Sequence, residues 1–225
     1  MNNSLPTKKE GLSDQAYRKI KSMILTNQLK PGAILNEAQF QEMLGIGRTP
    51  VREAIIQLSQ GGFLIVHPRR GIEVARILPK RIKDIFEIRY IIEPKILRMG
   101  FDKIDRSWLN NMREEFLHYI NNDFDLSRED TIHLSELDNE LHMGIIDSVG
   151  NNYASQMMSG FQDYLTLFRA SSTSSDIRFE PSNHEHVAII ESILSGEVDQ
   201  ACNNLSEHLA QSYKESIKIV MNMTV

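Results

Sequence analysis

The stretch from Asn36 to Ala75 limits the possible folds of this 225-residue chain more than any other part of it. Two short helical patterns are separated only by Gly45-Ile46-Gly47, which predicts a tight turn between them. Gly61-Gly62 ends the second helix, and two short β-prone runs follow. A helix, a tight turn, a second helix and a hairpin leave little freedom in how such a unit can be arranged.

Capping signals predict where these helices begin. Asn36, with Gln39 three residues later, is the pattern of a capping box. Thr49 is expected to be the N-cap of the next helix, with Pro50 at its first position, where the missing proline N–H needs no partner. An earlier helix is predicted over about residues 12–27 because apolar residues recur there at helical spacing.

The residues expected to face the core of this unit are apolar and lie three or four positions apart. They are Leu12, Ala16, Ile20, Met23 and Ile24 in the first helix, Phe40, Met43 and Leu44 in the second, and Val51, Ala54, Ile55 and Leu58 in the third. The runs Phe63–Val66 and Ile72–Ala75 predict two strands joined by His67–Gly71. We therefore expect a mainly α chain whose residues 1–77 form a winged helix-turn-helix of three helices and a β-hairpin wing.

Basic side chains lie at two places in this unit where DNA could be contacted. The third helix presents Arg48, Thr49 and Arg52 at its N-terminal end, which in helix-turn-helix proteins enters the major groove. Arginine there can bind guanine or hold a phosphate. Arg69 and Arg70 lie at the tip of the wing, where phosphate or minor-groove contacts are expected. If these arginines were ordinary solvated residues, the turn and the basic wing would be a coincidence.

The charge distribution agrees with a nucleic-acid partner for the front part alone. Residues 1–78 hold 11 Lys and Arg against 6 Asp and Glu, whereas residues 79–225 hold 14 against 24. No apolar run approaches the length of a membrane span, and no signal-peptide pattern is present. The single cysteine, Cys202, fits a reducing compartment. We expect a cytoplasmic protein without membrane contact.

After a linker at Leu78-Pro79 the sequence predicts helices only, so residues 78–225 are expected to form an all-α six-helix bundle. The predicted helices cover about 80–101, 105–122, 128–149, 151–170, 181–195 and 197–221.

Four ionisable residues of the bundle are expected to meet in its core. Asp138 and His142 are four positions apart and share one face of the third helix of the bundle. His186 and His208 are each 11 residues from Glu197, the centre of the turn between the last two helices, so an antiparallel pair places them at equal height. A divalent metal would explain how such groups tolerate burial.

One carboxylate and three imidazoles favour zinc, with nickel or manganese as alternatives. The competing interpretation is that each is a structural residue and that Asp138 and His142 are only a polar pair on a helix. His184 competes with His186, because two positions apart on a helix they point to nearly opposite sides. The remaining histidines, which are His67, His118 and His133, are expected at the surface.

Two parts of the sequence resemble known families. The motifs "GIGRTPVREAIIQL", "GGFL" and "RRG" resemble the DNA-binding domain of GntR-family bacterial transcription regulators over about residues 10–77. This resemblance implies that Arg48, Thr49, Arg52 and the wing through Gly71 contact operator DNA. Some relatives use a further arginine on the second helix, where this chain has Ala38, so that contact is expected to be absent.

The segments "LDNELHMGIIDSVGN" and "EHVAIIESILSGEVDQACNNLSEHL" resemble the ligand-sensing FCD domain of the FadR-type branch, in its six-helix, vanillate-regulator-like subgroup. The resemblance implies the metal ligands Asp138, His142, His186 and His208. It also implies that the metal helps hold a carboxylate effector. Arg89 in the "EIR" segment is the predicted partner of that carboxylate; the alternative is a salt bridge between Arg89 and Glu93. Asn152 and Arg169 are further pocket candidates.

The resulting prediction is a ligand-responsive transcription repressor that binds a near-palindromic operator as a homodimer and is not an enzyme. A metal-dependent hydrolase fused to a DNA-binding domain is one alternative, because an Asp/His site with an open position can activate water. A regulator whose metal is purely structural, without an organic effector, is another.

Overall fold

The boundary between the two structural units of the chain lies between Arg76 and Ile77. We describe the chain from a computed structural model that covers residues 11–121, 126–171 and 179–223. The first unit contains α1 (Leu12–Leu25), β1 (Ile34–Leu35), α2 (Glu37–Leu44), α3 (Arg48–Gln60), β2 (Leu64–His67) and β3 (Gly71–Val74). The predicted winged helix-turn-helix of three helices is confirmed.

The starts of α2 and α3 are built differently. Asn36 and Gln39 form the predicted capping box, with each side chain accepting from the backbone N–H of the other. The predicted cap of α3 is wrong: Gly47 is its N-cap, no side chain caps it, and Thr49 is the second helical residue. Pro50 therefore lies at the third position, still within the first turn, where its missing N–H breaks no helical hydrogen bond.

The wing belongs to a three-stranded antiparallel sheet in the order β1-β3-β2. The two-residue strand β1 was not predicted, because a segment this short beside Pro31-Gly32 has the composition of a turn. Gly71 at the start of β3 has φ +115°, and a Cβ there would lie 2.8 Å from the carbonyl oxygen of Leu35 in β1. Only glycine allows the wing to approach β1 this closely.

The core of the first unit follows the predicted stripes with two corrections. Ala16, Ile20, Ile24 and Phe40 are fully buried, as is most of the stripe on α3. Leu12 is 58% exposed and Met43 is 44% exposed. Leu12 is the first residue of α1 and Met43 lies in the last turn of α2. Both are therefore at helix ends, where the spacing continues after the core has ended.

The described part of the second unit contains the six predicted α-helices and a short 3₁₀ turn at Phe101–Lys103, so the expected all-α bundle is confirmed. The helices are α4 (Pro79–Gly100), α5 (Arg106–Asn121), α6 (Arg128–Asp147), α7 (Asn152–Ser171), α8 (Phe179–Leu194) and α9 (Val198–Met223). Among the described residues, no helix combines the length and the apolar composition that a membrane span requires.

The packing of these helices brings α4, α6, α8 and α9 around one point. The α4 helix packs against α9, α9 against α8, and α8 against α5, while α6 packs against both α4 and α7. At Gly144 on α6 a Cβ would lie 2.3 Å from the ring of Trp108 on α5, so the glycine leaves room for the indole ring against α6. The metal-ligand candidates lie on α6, α8 and α9.

Candidate functional site

The residues predicted to contact DNA lie at the exposed N-terminal end of α3. Arg48, Thr49 and Arg52 are all exposed, with 69% and 55% of the two arginine side chains accessible. The carboxylate of Glu37 on α2 accepts from Nε of Arg52 at 3.0 Å and lies 3.4 Å from Nε of Arg48. The hydrogen bond from Arg52 is the main cause that lowers the pKa of Glu37. One glutamate thus orients both arginines.

The wing presents its two arginines at the turn between β2 and β3. Arg69 and Arg70 are exposed and form no ion pair with the described residues, and Arg69 adopts a left-handed φ of +64°. Below the tip, His67 lies 2.7 Å from Glu73. This hydrogen bond, with a second from Arg76, lowers the pKa of Glu73. The acid within the wing is therefore paired, whereas the basic tip is left open to an anionic partner.

In the second unit, Asp138, His142, His186 and His208 come together, with one ligand atom from each lying within 4.8 Å of all the others. The three histidines are 1% exposed, and the Asp138 side chain is 17% exposed. The Nε2 atom of His208 lies 3.2 Å from the Nε2 atoms of both His142 and His186. Asp138 Oδ1 lies 3.5 Å from Nε2 of His186 and 4.0 Å from Nε2 of His142.

Two of these imidazoles form hydrogen bonds with glutamates through the Nδ1 atom, on the side of the ring away from the cluster. Nδ1 of His142 donates to Glu93 on α4 at 2.7 Å, and Nδ1 of His208 donates to Glu185 on α8 at 2.9 Å. Because a carboxylate only accepts hydrogen bonds, each Nδ1 carries the proton and each Nε2 presents a lone pair to the centre. Nδ1 of His186 is buried without a hydrogen-bond partner among the described residues.

This arrangement fits a cation better than it fits a set of hydrogen bonds. Three Nε2 lone pairs that face one another repel unless a positive charge lies between them. With zinc–nitrogen bonds of about 2.0–2.1 Å, two ligands of a tetrahedral site are about 3.3 Å apart, close to the separations found here. Three imidazoles and a carboxylate are a donor set suited to a divalent metal.

The electrostatics of the cluster keep Asp138 ionised and keep the imidazoles of His186 and His208 neutral. Burial alone would raise the pKa of Asp138, but the charge of Arg169 beside it holds that pKa well below its ordinary range. Burial, with His208 nearby, holds the pKa of His186 far below its usual value. Burial likewise lowers the pKa of His208, although Glu185 opposes the shift. These are the protonation states in which such groups bind metals.

Arg89 forms a buried ion pair with Glu93, the alternative that its sequence position left open. Nε of Arg89 donates to Glu93, and the two side chains are 2% and 0% exposed. Burial would raise the pKa of Glu93, but the charge of Arg89 and the hydrogen bonds from Arg89 and His142 lower it to about 2. Arg89 is therefore joined through Glu93 to His142, and much of its guanidinium is already committed.

Arg169 on α7 makes the second link from an arginine to the cluster. Its Nη2 donates to Oδ2 of Asp138 at 2.5 Å, while its Nη1 is buried without a hydrogen-bond partner among the described residues. Both arginines line one cavity of about 70 Å³, together with Asp138, His186 and His208. A water needs about 10–15 Å³ on this measure, so the cavity holds several waters or a small organic anion.

The other residues of the cavity wall are apolar or carry hydroxyls, except for the amide of Asn183 and the carboxylate of Glu215. They are Phe86, Leu134, Ser135, Leu165, Phe168, Phe179, Ser182, Asn183, Ser212, Glu215, Ser216 and Ile219. Asn152 is not among them and is exposed at the first residue of α7. Because Leu165 lies 13 residues further along that helix, Asn152 is about 20 Å away along the axis. The expectation that Asn152 lines the pocket therefore has no support from the geometry.

The remaining histidines lie outside the cluster. His184 is exposed, whereas His186, two positions later, is buried. His133 lies 3.4 Å from Glu115 at the surface, and His118 is also exposed, whereas His67 is half-buried in the wing beside Glu73. Sequence reasoning missed the contacts of Glu93 and Glu185 with the histidines. The spacing from Arg89 to Glu93 signals only an ion pair, and Glu185 resembles any polar residue beside a buried one.

Comparison with known proteins identifies the class of the chain. The family described as bacterial regulatory proteins, gntR family, matches residues 12–74, and the FCD domain family matches residues 84–211. The chain therefore belongs to the GntR family of transcription regulators and carries an FCD domain. It is a DNA-binding regulator and not an enzyme, since its relatives are named as HTH-type transcriptional regulators.

Two relatives are similar over both domains, and one solved structure is similar over the FCD domain alone. An uncharacterized HTH-type transcriptional regulator of Streptomyces ambofaciens is 26% identical over 90% of this chain and 84% of its own length. The HTH-type transcriptional repressor RspR of Escherichia coli is 24% identical over 92% of this chain and 89% of its own length. The Zn²⁺-bound FCD domain of TM0439 is 28% identical, with a TM-score of 0.51, over 64% of this chain and 96% of that one.

Proposed function

We propose that the protein is a metal-containing transcription repressor whose affinity for its operator changes when a small carboxylate binds in the FCD domain. One observation carries the proposal: the Asp138/His142/His186/His208 cluster opens into a cavity in which Nη1 of Arg169 has no described partner. The repressor role is supported by the name of RspR, and the metal is supported by the TM0439 domain, whose structure is described as Zn²⁺-bound. The protein would act in the cytoplasm.

DNA recognition is assigned to the basic end of α3 and to the wing. Arg48, Thr49 and Arg52 would reach base edges and phosphates in the major groove, and Arg69, Arg70 and Gly71 would contact the backbone or the minor groove. One recognition helix reads only a few base pairs. A homodimer that presents two such helices would read a near-palindromic operator, because the two-fold axis of the protein matches that of the DNA.

The metal would be held by Asp138, His142, His186 and His208, with Glu93 and Glu185 orienting two of the imidazoles. A divalent ion bound there supplies positive charge and open coordination positions to the cavity. Zinc fits the donor set, and nickel and manganese are alternatives to be distinguished by analysis.

The carboxylate of the effector would be held by Arg169, with Arg89 in a supporting role. Burying an unpaired guanidinium N–H is costly, so a ligand that accepts from Nη1 of Arg169 gains a charge-assisted hydrogen bond. Arg89, whose Nε is taken by Glu93, contributes positive charge to the cavity wall. The apolar wall formed by side chains such as Phe86, Leu165 and Phe168 would cover the rest of the ligand.

The effector can alter DNA binding only through a different affinity for the DNA-competent and DNA-incompetent states. In the proposed switch, closure of the cavity wall on the ligand changes the positions of the bundle helices. This change alters the spacing or mobility of the two winged helices in the dimer. Release of the operator is the expected direction for a repressor that responds to a metabolite.

The first test is elemental analysis of the full chain, purified without a metal-binding tag, beside an Asp138→Ala/His208→Ala variant. We expect about one divalent metal per wild-type chain and none in the variant. If neither protein contains metal or takes up zinc, nickel or manganese, the cluster is a polar network and the proposed sensing mechanism fails. The assignment to the GntR family would not be affected.

The second test uses the metal-loaded protein and an operator selected from a pool of random duplexes. We expect the selected sequence to be near-palindromic and one or more small carboxylates to weaken operator binding. Arg169→Gln should lose this response while keeping the metal. Carboxylates that bind without changing operator affinity would contradict the proposal. Metal removal that unfolds the bundle, with no effect of any acid, would instead support a purely structural metal.

A further inference from the structure

The side chain of Tyr164 on α7 is fully buried and holds the beginning of α4. Its hydroxyl oxygen accepts a hydrogen bond from the backbone N–H of Leu78 at 2.9 Å. The guanidinium carbon of Arg81 lies 4.0 Å from the centre of the tyrosine ring, within the range of a cation–π contact. Burial raises the pKa of Tyr164, so the hydroxyl stays neutral.

Leu78 is the N-cap residue of α4, and no side chain caps that helix end. It is also the second residue of the second unit, so the chain leading from the winged helix enters α4 at this point. Because Leu78 and Tyr164 are 86 residues apart in sequence, their hydrogen bond fixes the entry of α4 to a distant helix. The orientation of this entry segment therefore depends on the position of α7.

The same helix forms part of the proposed effector cavity. Leu165, Phe168 and Arg169 line the cavity, and Arg169 is bonded to Asp138 of the metal-ligand cluster. Tyr164 directly precedes Leu165 and lies one helical turn before Phe168. An α-helix moves as a stiff element, so a shift of α7 that accommodates the cavity contents also moves the hydroxyl that holds Leu78.

We propose that Tyr164 is a positioning residue that couples the metal-lined cavity to the segment joining the two units. The inference rests on the proposed function, because it assigns a regulatory route to the same cavity. A hydrogen bond and a stacked cation at the first turn of α4 would be strengthened or weakened as α7 moves. The entry segment would then report the state of the cavity to the DNA-binding unit along the chain itself.

The experiment measures hydrogen–deuterium exchange of the Leu78 amide in the full chain, with zinc as the only added ligand and with EDTA as reference. Coupling free energies of about 1–3 kcal/mol correspond to about 5–150-fold, so we expect zinc to change this exchange rate at least about fivefold. Tyr164→Phe keeps the ring under Arg81 and removes only the hydroxyl. In this variant the zinc effect at Leu78 should fall below about twofold, while zinc affinity stays within about twofold of wild type.

Tyr119→Phe is the matched control, because it removes a hydroxyl that bonds Asp130 at 3.3 Å between α5 and α6. It should keep the wild-type zinc effect at Leu78. A zinc effect that persists in Tyr164→Phe overturns the coupling. If zinc binds the wild type but does not change the exchange rate of the Leu78 amide, the coupling through Tyr164 is also overturned, whereas the proposed function is not affected. Failure of wild type to bind zinc, nickel or manganese would refute both proposals. These measurements on the wild type decide the question even if the variant does not fold.

Discussion

Two arginine–glutamate pairs in the same chain differ in what surrounds them. In the winged helix, Glu37 pairs with Arg52 where the side chains are 30% and 55% exposed. In the bundle, Glu93 pairs with Arg89 where they are 0% and 2% exposed. The first pair lies in solvent and can exchange its glutamate for DNA phosphate or bases. The second is enclosed, and its glutamate also holds His142.

The difference in exposure between the two pairs indicates which substitutions can change function without changing stability. An exposed ion pair contributes about 0–1 kcal/mol, because water and salt screen it. Breaking a buried pair by removing one partner costs about 3–5 kcal/mol, because a charge is left uncompensated in the interior. Substitutions at the DNA-binding face should therefore alter DNA binding alone, whereas breaking the enclosed Arg89–Glu93 pair should alter metal binding and folding together.

The largest expected effect is that of Glu93→Gln. The amide leaves Arg89 buried without its counter-ion, so the free energy of unfolding should fall by about 3–5 kcal/mol. With about 2–4 °C per kcal/mol for a chain of this size, Tm should fall by roughly 10 °C. Thermal unfolding of metal-free protein measures this change apart from metal binding. If the free energy of unfolding fell by less than about 1 kcal/mol, the buried Arg89–Glu93 pair would stabilise the fold no more than the exposed Glu37–Arg52 pair does.

The second effect concerns DNA. Arg52→Ala should weaken binding to the selected operator by about 1–3 kcal/mol, which is about 5–150-fold, and should leave Tm and metal content unchanged. If Arg52 holds a phosphate, the salt slope of log K should also fall by about 1. Arg98→Ala removes a comparably exposed arginine of the bundle and serves as the control. Unchanged operator affinity would remove Arg52 from the interface.

A third prediction concerns the bundle alone. Glu185 accepts a hydrogen bond from Nδ1 of His208, and its side chain is 26% exposed, whereas that of Glu93 is fully buried. Glu185→Gln should lower zinc affinity by about 10–100-fold, because the imidazole loses the partner that fixes its tautomer and orientation. Its effect on Tm without metal should be much smaller than that of Glu93→Gln. Competition with a zinc-binding dye measures the affinity, and an unchanged value would mean that His208 is positioned by packing alone.

The same contrast explains what could be predicted from the sequence. Helix spacing, the Asn36 capping box and the turn at Gly45-Ile46-Gly47 are local signals, and they predicted the fold of both units well. The cap of α3 was misassigned because Thr49 and Gly47 are both acceptable N-cap residues, and backbone geometry decides between them. Strand β1 was missed because its two residues are defined only by pairing with β3.

For the candidate sites, residues on one helix or in one helical hairpin were easier to predict than contacts between distant elements. Counting from the turn at Glu197 placed His186 and His208 at one height, and their Nε2 atoms lie 3.2 Å apart. The contact of Glu93 with His142 spans 49 residues and that of Tyr164 with Leu78 spans 86. No spacing rule links such residues. Only the packing of α4 against α6 and of α7 near the start of α4 brings them together.

Glu37→Gln should have the smallest effect on stability. It tests most directly whether the exposed Glu37–Arg52 pair serves DNA recognition and not folding. The change in Tm should be small, because the pair it breaks is solvated. Removing a negative charge beside Arg48 and Arg52 should strengthen binding to random-sequence DNA, while loss of their orientation should weaken the preference for the operator. The ratio of operator to random-DNA affinity, measured at one salt concentration, should therefore fall even if operator affinity itself changes little. An unchanged ratio would mean that Glu37 only accompanies the arginines, and that DNA selects their rotamers on contact.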